Sequence, residues 1–189
     1  MCGIVGYVGE KQAANFLIDG LTKLEYRGYD SAGIAVFDGE KINVAKSVGR
    51  LAALKEKIKN NTPEGVMGIG HTRWATHGRP SDVNSHPHTD CSGKFAIVHN
   101  GIIENFMSLK EELIAKGHKF VSETDTEVVA HLIEDVYEGD FVEAVNKVLN
   151  RIEGSYSLAF MCQDYPDTLI CTKKDNPLVI GLGEGENFI

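Results

Sequence analysis

The residue with the clearest chemical potential is Cys2, which follows Met1 directly. If Met1 is removed, as a small second residue generally permits, Cys2 carries a thiol and a free α-amine. A thiol with a pKa of about 8.5 is only a few per cent ionised at neutral pH, whereas an α-amine with a pKa of about 7.7 to 8.0 accepts a proton there. Nucleophile and base would then share one residue. The alternative is a small, inert hydrophobic residue at a chain start.

A second candidate group is the segment of residues 71–78, HTRWATHG, which leaves a predicted strand. The planar guanidinium of Arg73 is suited to binding a carboxylate through two hydrogen bonds. Trp74 is the only tryptophan and stands where a lid would cover a ligand. A solvated arginine and a packed tryptophan are the equally open alternative.

The dipeptide Asn100-Gly101 also follows a predicted strand. Asn-Gly is a strong signal for a type I′ hairpin turn. In the functional interpretation, the Asn100 side-chain amide and the Gly101 N–H form an oxyanion hole for an attacked carbonyl. The sequence favours neither interpretation over the other.

Two charged residues stand at predicted helix ends. Asp125 lies in a Thr124-x-x-Glu127 capping box, where an acid favourably meets the helix dipole, although its carboxylate could instead hold a substrate ammonium. Arg27 precedes Gly28, which indicates the last turn of a helix and its glycine C-cap.

Metal and phosphate motifs are weak or missing. His86 and His88 with Cys91 suggest zinc only faintly, because no second ligand pair follows at finger-like spacing. The sequence contains no Walker A motif, no G-x-G-x-x-G after a strand and no G-x-S-x-G.

Composition excludes several classes of protein. The 189 residues are 42% hydrophobic and 24% charged, which suits a globular domain with a sizeable core. A formal net charge of −8 argues against nucleic-acid and anionic-membrane partners. No stretch has the roughly 20 apolar residues of a membrane span, and no signal peptide is recognisable. Four scattered cysteines favour a reducing, cytoplasmic location.

The hydrophobic pattern predicts strands and helices in blocks, which favours packed sheets with helices outside over a βαβ alternation. The predicted helices are residues 11–24, 51–60, 106–116, a helix opened by the capping box, and 141–152. The predicted strands are residues 4–8, 31–37, 41–48, 66–69, 95–99, 155–162, 168–172 and 178–183. Residues 72–94 are expected to form a long functional loop.

Five ordered segments together resemble one family. They are residues 1–6 (MCGIVG), 26–33 (YRGYDSAG), 70–78 (GHTRWATHG), 99–105 (HNGIIEN) and 122–127 (SETDTE). They are similar to the glutaminase domains of class II glutamine amidotransferases, and most closely to those of isomerizing glutamine–fructose-6-phosphate aminotransferases, the glucosamine-6-phosphate synthases. The resemblance implies an α+β N-terminal-nucleophile (Ntn) hydrolase fold, a four-layer α/β/β/α sandwich. Other amidotransferases with the same start, and a non-catalytic ligand-binding module, are the alternatives.

The resemblance also implies a role for each candidate. Cys2 attacks the side-chain amide of L-glutamine to form a thioester, with its α-amine as base through a water. Asn100 and Gly101 form the oxyanion hole. Arg73 binds the substrate carboxylate and Asp125 its ammonium. Thr76, His77 and Trp74 close over the substrate, and Arg27 supports the nucleophile from behind.

The same resemblance bears on domains and cofactors. Residues 1–189 are expected to form one type 2 glutamine amidotransferase domain, truncated at its C-terminal end and lacking the C-terminal sugar-isomerase domains that receive the ammonia in the family. No metal and no organic cofactor are implied.

Overall fold

The first of two sheets contains the start of the chain. In the computed structural model, which describes residues 2–74 and 78–189, its strands are β1 (Gly3–Val8), β2 (Ser31–Phe37), β3 (Ile42–Val48), β4 (Met67–Arg73), β9 (Gly181–Leu182) and β10 (Asn187–Phe188). The order is β3-β2-β4-β1-β10-β9, and all neighbours are antiparallel. Strand β1 is therefore interior, held between β4 and β10.

The second sheet is smaller and also antiparallel. Its strands are β5 (His88–Thr89), β6 (Phe95–Ile103), β7 (Gly154–Cys162) and β8 (Leu169–Lys174), in the order β5-β6-β7-β8. The long β6–β7 ladder runs from the Phe95–Cys162 pair to the Ile103–Gly154 pair.

Helices cover the outer face of each sheet. Helices α1 (Ala13–Leu24) and α2 (Leu51–Ile58) pack on the first sheet. Helices α3 (Phe106–Ala115), α4 (Glu127–Val136) and α5 (Phe141–Leu149) pack on the second. Within residues 2–74 and 78–189, no helix combines the length and apolarity needed to cross a membrane.

Three apolar layers separate these four layers of secondary structure. Between the sheets lie Ala35, Phe37, Met67, Ile69, Ala96, Val98, Ala159 and Met161. Each outer layer is formed by one sheet and the apolar faces of its helices. Because both faces of β2 are covered, all seven of its residues are buried, which explains the continuous apolar run in its sequence. The α/β/β/α arrangement predicted from the sequence is confirmed.

Several predicted boundaries were wrong. Residues 72–94 are not one loop, because β4 continues through Arg73 and β5 interrupts the remainder. The predicted strand 178–183 shrinks to the two residues of β9, which pair with β10. Helix α5 ends at Leu149, three residues earlier than expected.

Strand register positions the start of the chain beside two other strand ends. Gly3 pairs with Thr72 near the end of β4, so Cys2 lies next to Arg73 and Trp74. Strand β6 of the second sheet also approaches β1 and β4. Three segments that are distant in sequence therefore converge at one edge of the sandwich.

Candidate active site

A cavity of about 720 Å³ opens where these strand ends converge. Of the residues predicted to form the site, those that line it are Cys2, Arg27, Arg73, Trp74, Asn100, Gly101 and Asp125. The predicted Thr76 and His77 lie outside the described residues, as does Met1. The volume suits a small-molecule ligand.

The Cys2 thiol sits against the backbone at the end of β4. The Trp74 backbone N–H donates to Cys2 Sγ at 3.2 Å. Burial raises the pKa of the Cys2 thiol, while the Trp74 N–H and the Arg73 charge act in the opposite direction. The thiol is therefore protonated at neutral pH, and it needs a base to become a nucleophile.

Asn100 is oriented by His71, a buried residue at the end of β4. His71 Nε2 lies 3.0 Å from the His99 carbonyl oxygen and 2.9 Å from Asn100 Oδ1. A carbonyl only accepts hydrogen bonds, so Nε2 carries the proton and the Asn100 atom facing it is the acceptor. The Asn100 amide nitrogen then points the other way, and it donates to the Cys2 carbonyl oxygen at 3.3 Å. The contact with His71 therefore directs the Asn100 side-chain N–H toward Cys2.

The Asn-Gly pair does not form a hairpin turn. Strand β6 continues through Asn100 and Gly101 to Ile103, and Gly101 pairs with Tyr156 of β7. Gly101 has a φ of +131°, and a Cβ at this position would collide with the Ser155 carbonyl oxygen. Glycine is required here by its backbone conformation and by the close approach of β7.

Arg73 and Asp125 add opposite charges to the cavity wall. Each residue is only 4% exposed. Arg73 Nη2 donates to the Gly78 carbonyl at 3.1 Å, and Asp125 Oδ2 accepts from the Ile103 N–H at 2.8 Å. Burial lowers the pKa of Arg73, and the Asp30 and Asp125 carboxylates oppose that shift. A zwitterionic amino acid would match such a pair.

The predicted capping box is absent. Helix α4 begins at Glu127, its N-cap is Thr126, and no side chain caps it. The Thr124 hydroxyl lies instead 3.0 Å from His88 Nε2. Asp125 therefore precedes the helix rather than occupying its first turn, and a tertiary contact has replaced the local cap.

Trp74 contributes its backbone more clearly than its side chain. Trp74 is 45% exposed, and its indole meets the Tyr29 ring edge-on, with centroids 5.3 Å apart. Arg27 ends a 3₁₀ turn, Glu25–Arg27, that follows α1. Gly28 is the C-cap residue of this turn, as predicted, and its N–H donates to the Glu25 carbonyl; its backbone is extended rather than left-handed. Position 28 requires a glycine because a Cβ there would lie 2.8 Å from the Arg73 carbonyl carbon.

Three buried histidines form a row behind the cavity. The His71 and His86 rings stack at 4.2 Å, and His86 meets His88 at 4.8 Å. Burial lowers the pKa of His71 to about 3, and it also holds the pKa values of His86 and His88 well below the usual 6.5. The row is therefore uncharged at neutral pH.

The faint zinc pattern of His86 and His88 with Cys91 is not assembled. His86 Nδ1 accepts from the His99 N–H at 3.3 Å. His88 Nε2 lies 3.0 Å from the Thr124 hydroxyl. Within the described part of the chain, the potential metal ligands that do come together are Cys91, His118, His131 and Glu134.

Two site residues were missed by the sequence interpretation. His71 stood inside a recognised motif but received no role, although a buried histidine beside an asparagine amide is a strong orienting group. Asn176 donates from Nδ2 to the Asn100 carbonyl at 3.1 Å. Nothing local in the sequence marks Asn176, because the contact spans the β6–β7–β8 sheet.

A family model described as a glutamine amidotransferase domain matches residues 71–189. This chain belongs to the glutamine amidotransferase domain family. It is 60% identical over all 189 residues to a glutamine–fructose-6-phosphate aminotransferase (isomerizing) of Caldanaerobacter subterraneus subsp. tengcongensis, of which it covers 31%. It is 55% identical to the protein of that name from Thermococcus kodakarensis, covering 32% of it. The chain thus spans about a third of the length of the curated relatives it matches.

Solved structures support the same family. The glutamine phosphoribosylpyrophosphate amidotransferase of B. subtilis superposes with a TM-score of 0.84 at 29% identity, covering 100% of this chain and 41% of that one. A glutamine aminotransferase class-II domain protein from Silicibacter pomeroyi gives a TM-score of 0.66 at 15% identity, with 100% and 87% covered, and it supports the fold alone. The amidotransferase domain therefore has the predicted Ntn hydrolase fold.

Proposed function

We propose that this domain hydrolyses the side-chain amide of L-glutamine to glutamate and ammonia through a thioester on Cys2. The observation that carries the proposal is the convergence of a thiol, an oriented amide donor and an opposite-charge pair on one cavity. These groups correspond to the needs of the reaction: a nucleophile, a site for the developing oxyanion, and a clamp for the amino-acid end of the substrate.

Substrate binding uses the charged pair. Arg73 takes the α-carboxylate of glutamine and Asp125 takes its α-ammonium, which leaves the side-chain amide free to reach Cys2. Both side chains are held by backbone groups, Arg73 by Gly78 and Asp125 by Ile103. Their geometry is therefore fixed before the substrate arrives, and less entropy is lost on binding.

The first half-reaction forms the thioester. Cys2 Sγ attacks the amide carbon while the α-amine of Cys2 takes the thiol proton through a water. The resulting oxyanion is stabilised by Asn100 Nδ2 and the Gly101 N–H. Collapse of the tetrahedral intermediate breaks the C–N bond, and the ammonium formed on the α-amine returns its proton to the leaving nitrogen, releasing ammonia.

The second half-reaction regenerates the thiol. Water attacks the thioester carbonyl and gives a proton to the α-amine, the same donors stabilise the oxyanion, and the C–S bond breaks. The α-amine returns the proton to sulfur, and glutamate leaves. Thr76, His77 and the Trp74 side chain are proposed to cover the substrate during these steps, and Arg27 to support the nucleophile from the cavity wall.

The relatives support a destination for the ammonia. In the longer protein, we infer that ammonia passes to C-terminal sugar-isomerase domains, which convert fructose 6-phosphate into glucosamine 6-phosphate. The support is the 60% identity to an aminotransferase of that name, against 29% for the phosphoribosylpyrophosphate amidotransferase structure. A cytoplasmic location stays a prediction.

The test is a glutaminase assay on the 189-residue chain and on its Cys2→Ala variant. We expect glutamate and ammonia in equal amounts from the wild type, a thioester adduct on residue 2 by mass spectrometry, and neither from the variant. Turnover that survives Cys2→Ala would contradict the mechanism. For the acceptor, full-length protein should form an amino sugar phosphate from fructose 6-phosphate, and amination of phosphoribosylpyrophosphate instead would contradict the assignment.

A further inference from the structure

Four donor atoms converge at a point in the outer helical layer, formed by residues that the glutaminase mechanism does not use. They are Cys91 Sγ, His118 Nδ1, His131 Nδ1 and a Glu134 carboxylate oxygen, and all lie within 4.8 Å of one another. Cys91 lies just beyond β5 and His118 just after α3, while His131 and Glu134 stand one turn apart on α4. We refer to these four residues as the Cys91 cluster.

The separations within the Cys91 cluster match a tetrahedral coordination sphere. With Zn–S near 2.3 Å and Zn–N near 2.05 Å, tetrahedral angles place sulfur about 3.6 Å from nitrogen and two nitrogens about 3.3 Å apart. Cys91 Sγ is 3.6 Å from His131 Nδ1 and 4.0 Å from His118 Nδ1. The Glu134 oxygen is 3.4 Å from His131 Nδ1 and 2.9 Å from His118 Nδ1. Small shifts would seat an ion between them.

The far side of each imidazole faces a carboxylate. His131 Nε2 lies 3.6 Å from Glu127 Oε1, and His118 Nε2 lies 3.7 Å from Asp135 Oδ1. Metal-bound histidines usually direct their other nitrogen to a carboxylate, which fixes the tautomer and raises ligand basicity. The Lys119 N–H also donates to Cys91 Sγ at 3.4 Å, a contact that favours a thiolate.

Burial differs across the Cys91 cluster in a way that suits an ion entering from solvent. His131 is only 1% exposed, so its ring is fixed in the core, whereas Cys91 is exposed. An ion entering from solvent would therefore meet a His131 ring that is already in place, and the exposed Cys91 thiol could bind it last.

We propose that the Cys91 cluster is a structural Zn²⁺ site with one sulfur, two nitrogen and one oxygen ligand. Mixed thiolate and imidazole ligands select zinc over magnesium or calcium. Four protein ligands fill a tetrahedral sphere and leave no open position, so the ion has a structural rather than a catalytic role. Binding releases the thiol proton of Cys91. From the sequence, Cys91 was considered only together with His86 and His88, and the family resemblance implied no metal; His118, His131 and Glu134 were not considered as ligands.

The zinc site would join three segments of the chain and reach toward the active-site wall. It links the end of β5, the α3–α4 connection and α4. Through His131 it also meets Glu127, whose carboxylate accepts from the N–H groups of Val121 and Ser122 at 2.8 and 2.7 Å. Those residues begin the segment that carries Asp125, so the ion would stiffen the connection that holds the substrate-binding carboxylate.

The test measures zinc on the 189-residue chain and two cysteine variants. Cys91→Ser removes the sulfur ligand, and Cys171→Ser is the matched control because Cys171 is a half-buried cysteine on β8 outside the cluster. Zinc content after chelator-free purification, affinity by competition with a chromophoric chelator, and the spectrum of the Co²⁺-substituted protein are the readouts. Circular dichroism checks that each variant is folded.

We expect one zinc per chain for the wild type and for Cys171→Ser, with a thiolate-to-cobalt charge-transfer band in both. Cys91→Ser should lose that band and bind zinc more than about 100-fold more weakly, since even outer ligand partners typically cost about 10–100-fold. Zinc at one hundred times its Kd should raise Tm by about 5–10 °C. Less than one-tenth equivalent of zinc, or equal affinity in wild type and Cys91→Ser, would overturn the proposal and leave a hydrogen-bonded cluster only. If Cys91→Ser misfolds, Glu134→Gln must instead show the weakened affinity.

Discussion

The regions around Cys2 and Cys91 place the same type of side chain in very different surroundings. Around Cys2, polar groups surround a cavity of about 720 Å³, and the sulfur contacts the Trp74 backbone. Around Cys91, the four donor atoms lie within 4.8 Å of one another, a separation that suits a shared metal ion. The comparison teaches that the distance between polar groups matters as well as their type: groups spread around a cavity suit a small molecule, and converging donor atoms suit an ion.

Charge separates the same two regions. The cavity at Cys2 carries a cation and an anion on its wall, Arg73 and Asp125, which match the two charges of an amino acid. The Cys91 cluster has two carboxylates behind its imidazoles and one among its ligands, which match a divalent cation. Each set of charges is complementary to the ligand proposed for it.

The largest expected effect separates the two cysteines by activity. Cys2→Ser should lower glutamine turnover by at least about 1,000-fold, because a hydroxyl is far less acidic than a thiol and the α-amine is a weak base. Cys91→Ser should stay within about threefold of wild type. Release of glutamate and ammonia measures both. Similar losses in the two variants would show that the regions are not functionally distinct.

Retention of Met1 is expected to have a nearly equal effect. It would turn the Cys2 amine into an amide nitrogen with essentially no basicity at neutral pH. A variant with lysine inserted between Met1 and Cys2, which should block removal of the methionine, is expected to fold but to be inactive. Intact-mass spectrometry paired with the glutaminase assay measures this. Full activity with Met1 still attached would end the amine-as-base mechanism and favour a cysteine–histidine dyad.

Loss of the substrate-binding charges comes next. Asp125→Ala should cost about 2–5 kcal/mol of substrate binding, which is a fall of about 30- to 4,000-fold in kcat/KM, because it leaves the ammonium buried and unpaired. Arg73→Lys should also lower kcat/KM, since a point charge cannot replace a planar fork.

The matched control for Asp125→Ala is Asp135→Asn. Asp135 faces His118 in the Cys91 cluster, so this variant should weaken zinc binding and leave kcat/KM nearly unchanged. Wild-type kcat/KM in Asp125→Ala would contradict the proposed substrate orientation, and an equal loss in Asp135→Asn would contradict the separation of the two regions.

A smaller effect is expected at His71, a positioning residue. His71→Leu removes the donor that orients Asn100, so kcat should fall by about 10- to 100-fold while KM changes little, because the oxyanion forms only after binding. His71→Gln keeps an N–H donor and should recover part of kcat. Equal kcat in the two variants would show that His71 acts only through packing.

The last prediction concerns stability rather than activity, and its variable is pH. His71, His86 and His88 stay neutral in the folded domain while the unfolded chain takes up protons below about pH 6.5. The unfolded state then binds more protons, so their contribution to stability is present above pH 6.5 and is lost as pH falls below it; for His71 the loss continues down to its folded-state pKa of about 3. The loss is about 1.4 kcal/mol per pH unit for each fully neutral histidine.

Denaturant unfolding between pH 7 and pH 5 measures that loss, and imidazole NMR shifts identify the histidines. Protonated His71 in folded protein at pH 5 would contradict the assignment.

Local sequence patterns predicted correctly those helices and strands whose residues all lie in the same environment. The strand 31–37 was correct at both ends because both of its faces are buried, so every residue reports the same environment. The predicted Thr124 capping box was wrong, and the Asn-Gly hairpin turn, one of two interpretations left open, does not form. In both cases a partner distant in sequence, His88 or Tyr156, competes with the local structure. The roles of the site residues, including Thr76 and His77, stay predictions.

The sequence by itself determined which chemical groups are present and which short segments carry them: the terminal cysteine, the Asn-Gly pair and the isolated arginine and aspartate. The tertiary structure alone decided which of these groups meet. His71 reaches Asn100, and Cys91 reaches His131, across 29 and 40 residues of chain. Such contacts follow from strand register and from the packing of helices on a sheet, and neither leaves a periodic signal in the segments that it joins.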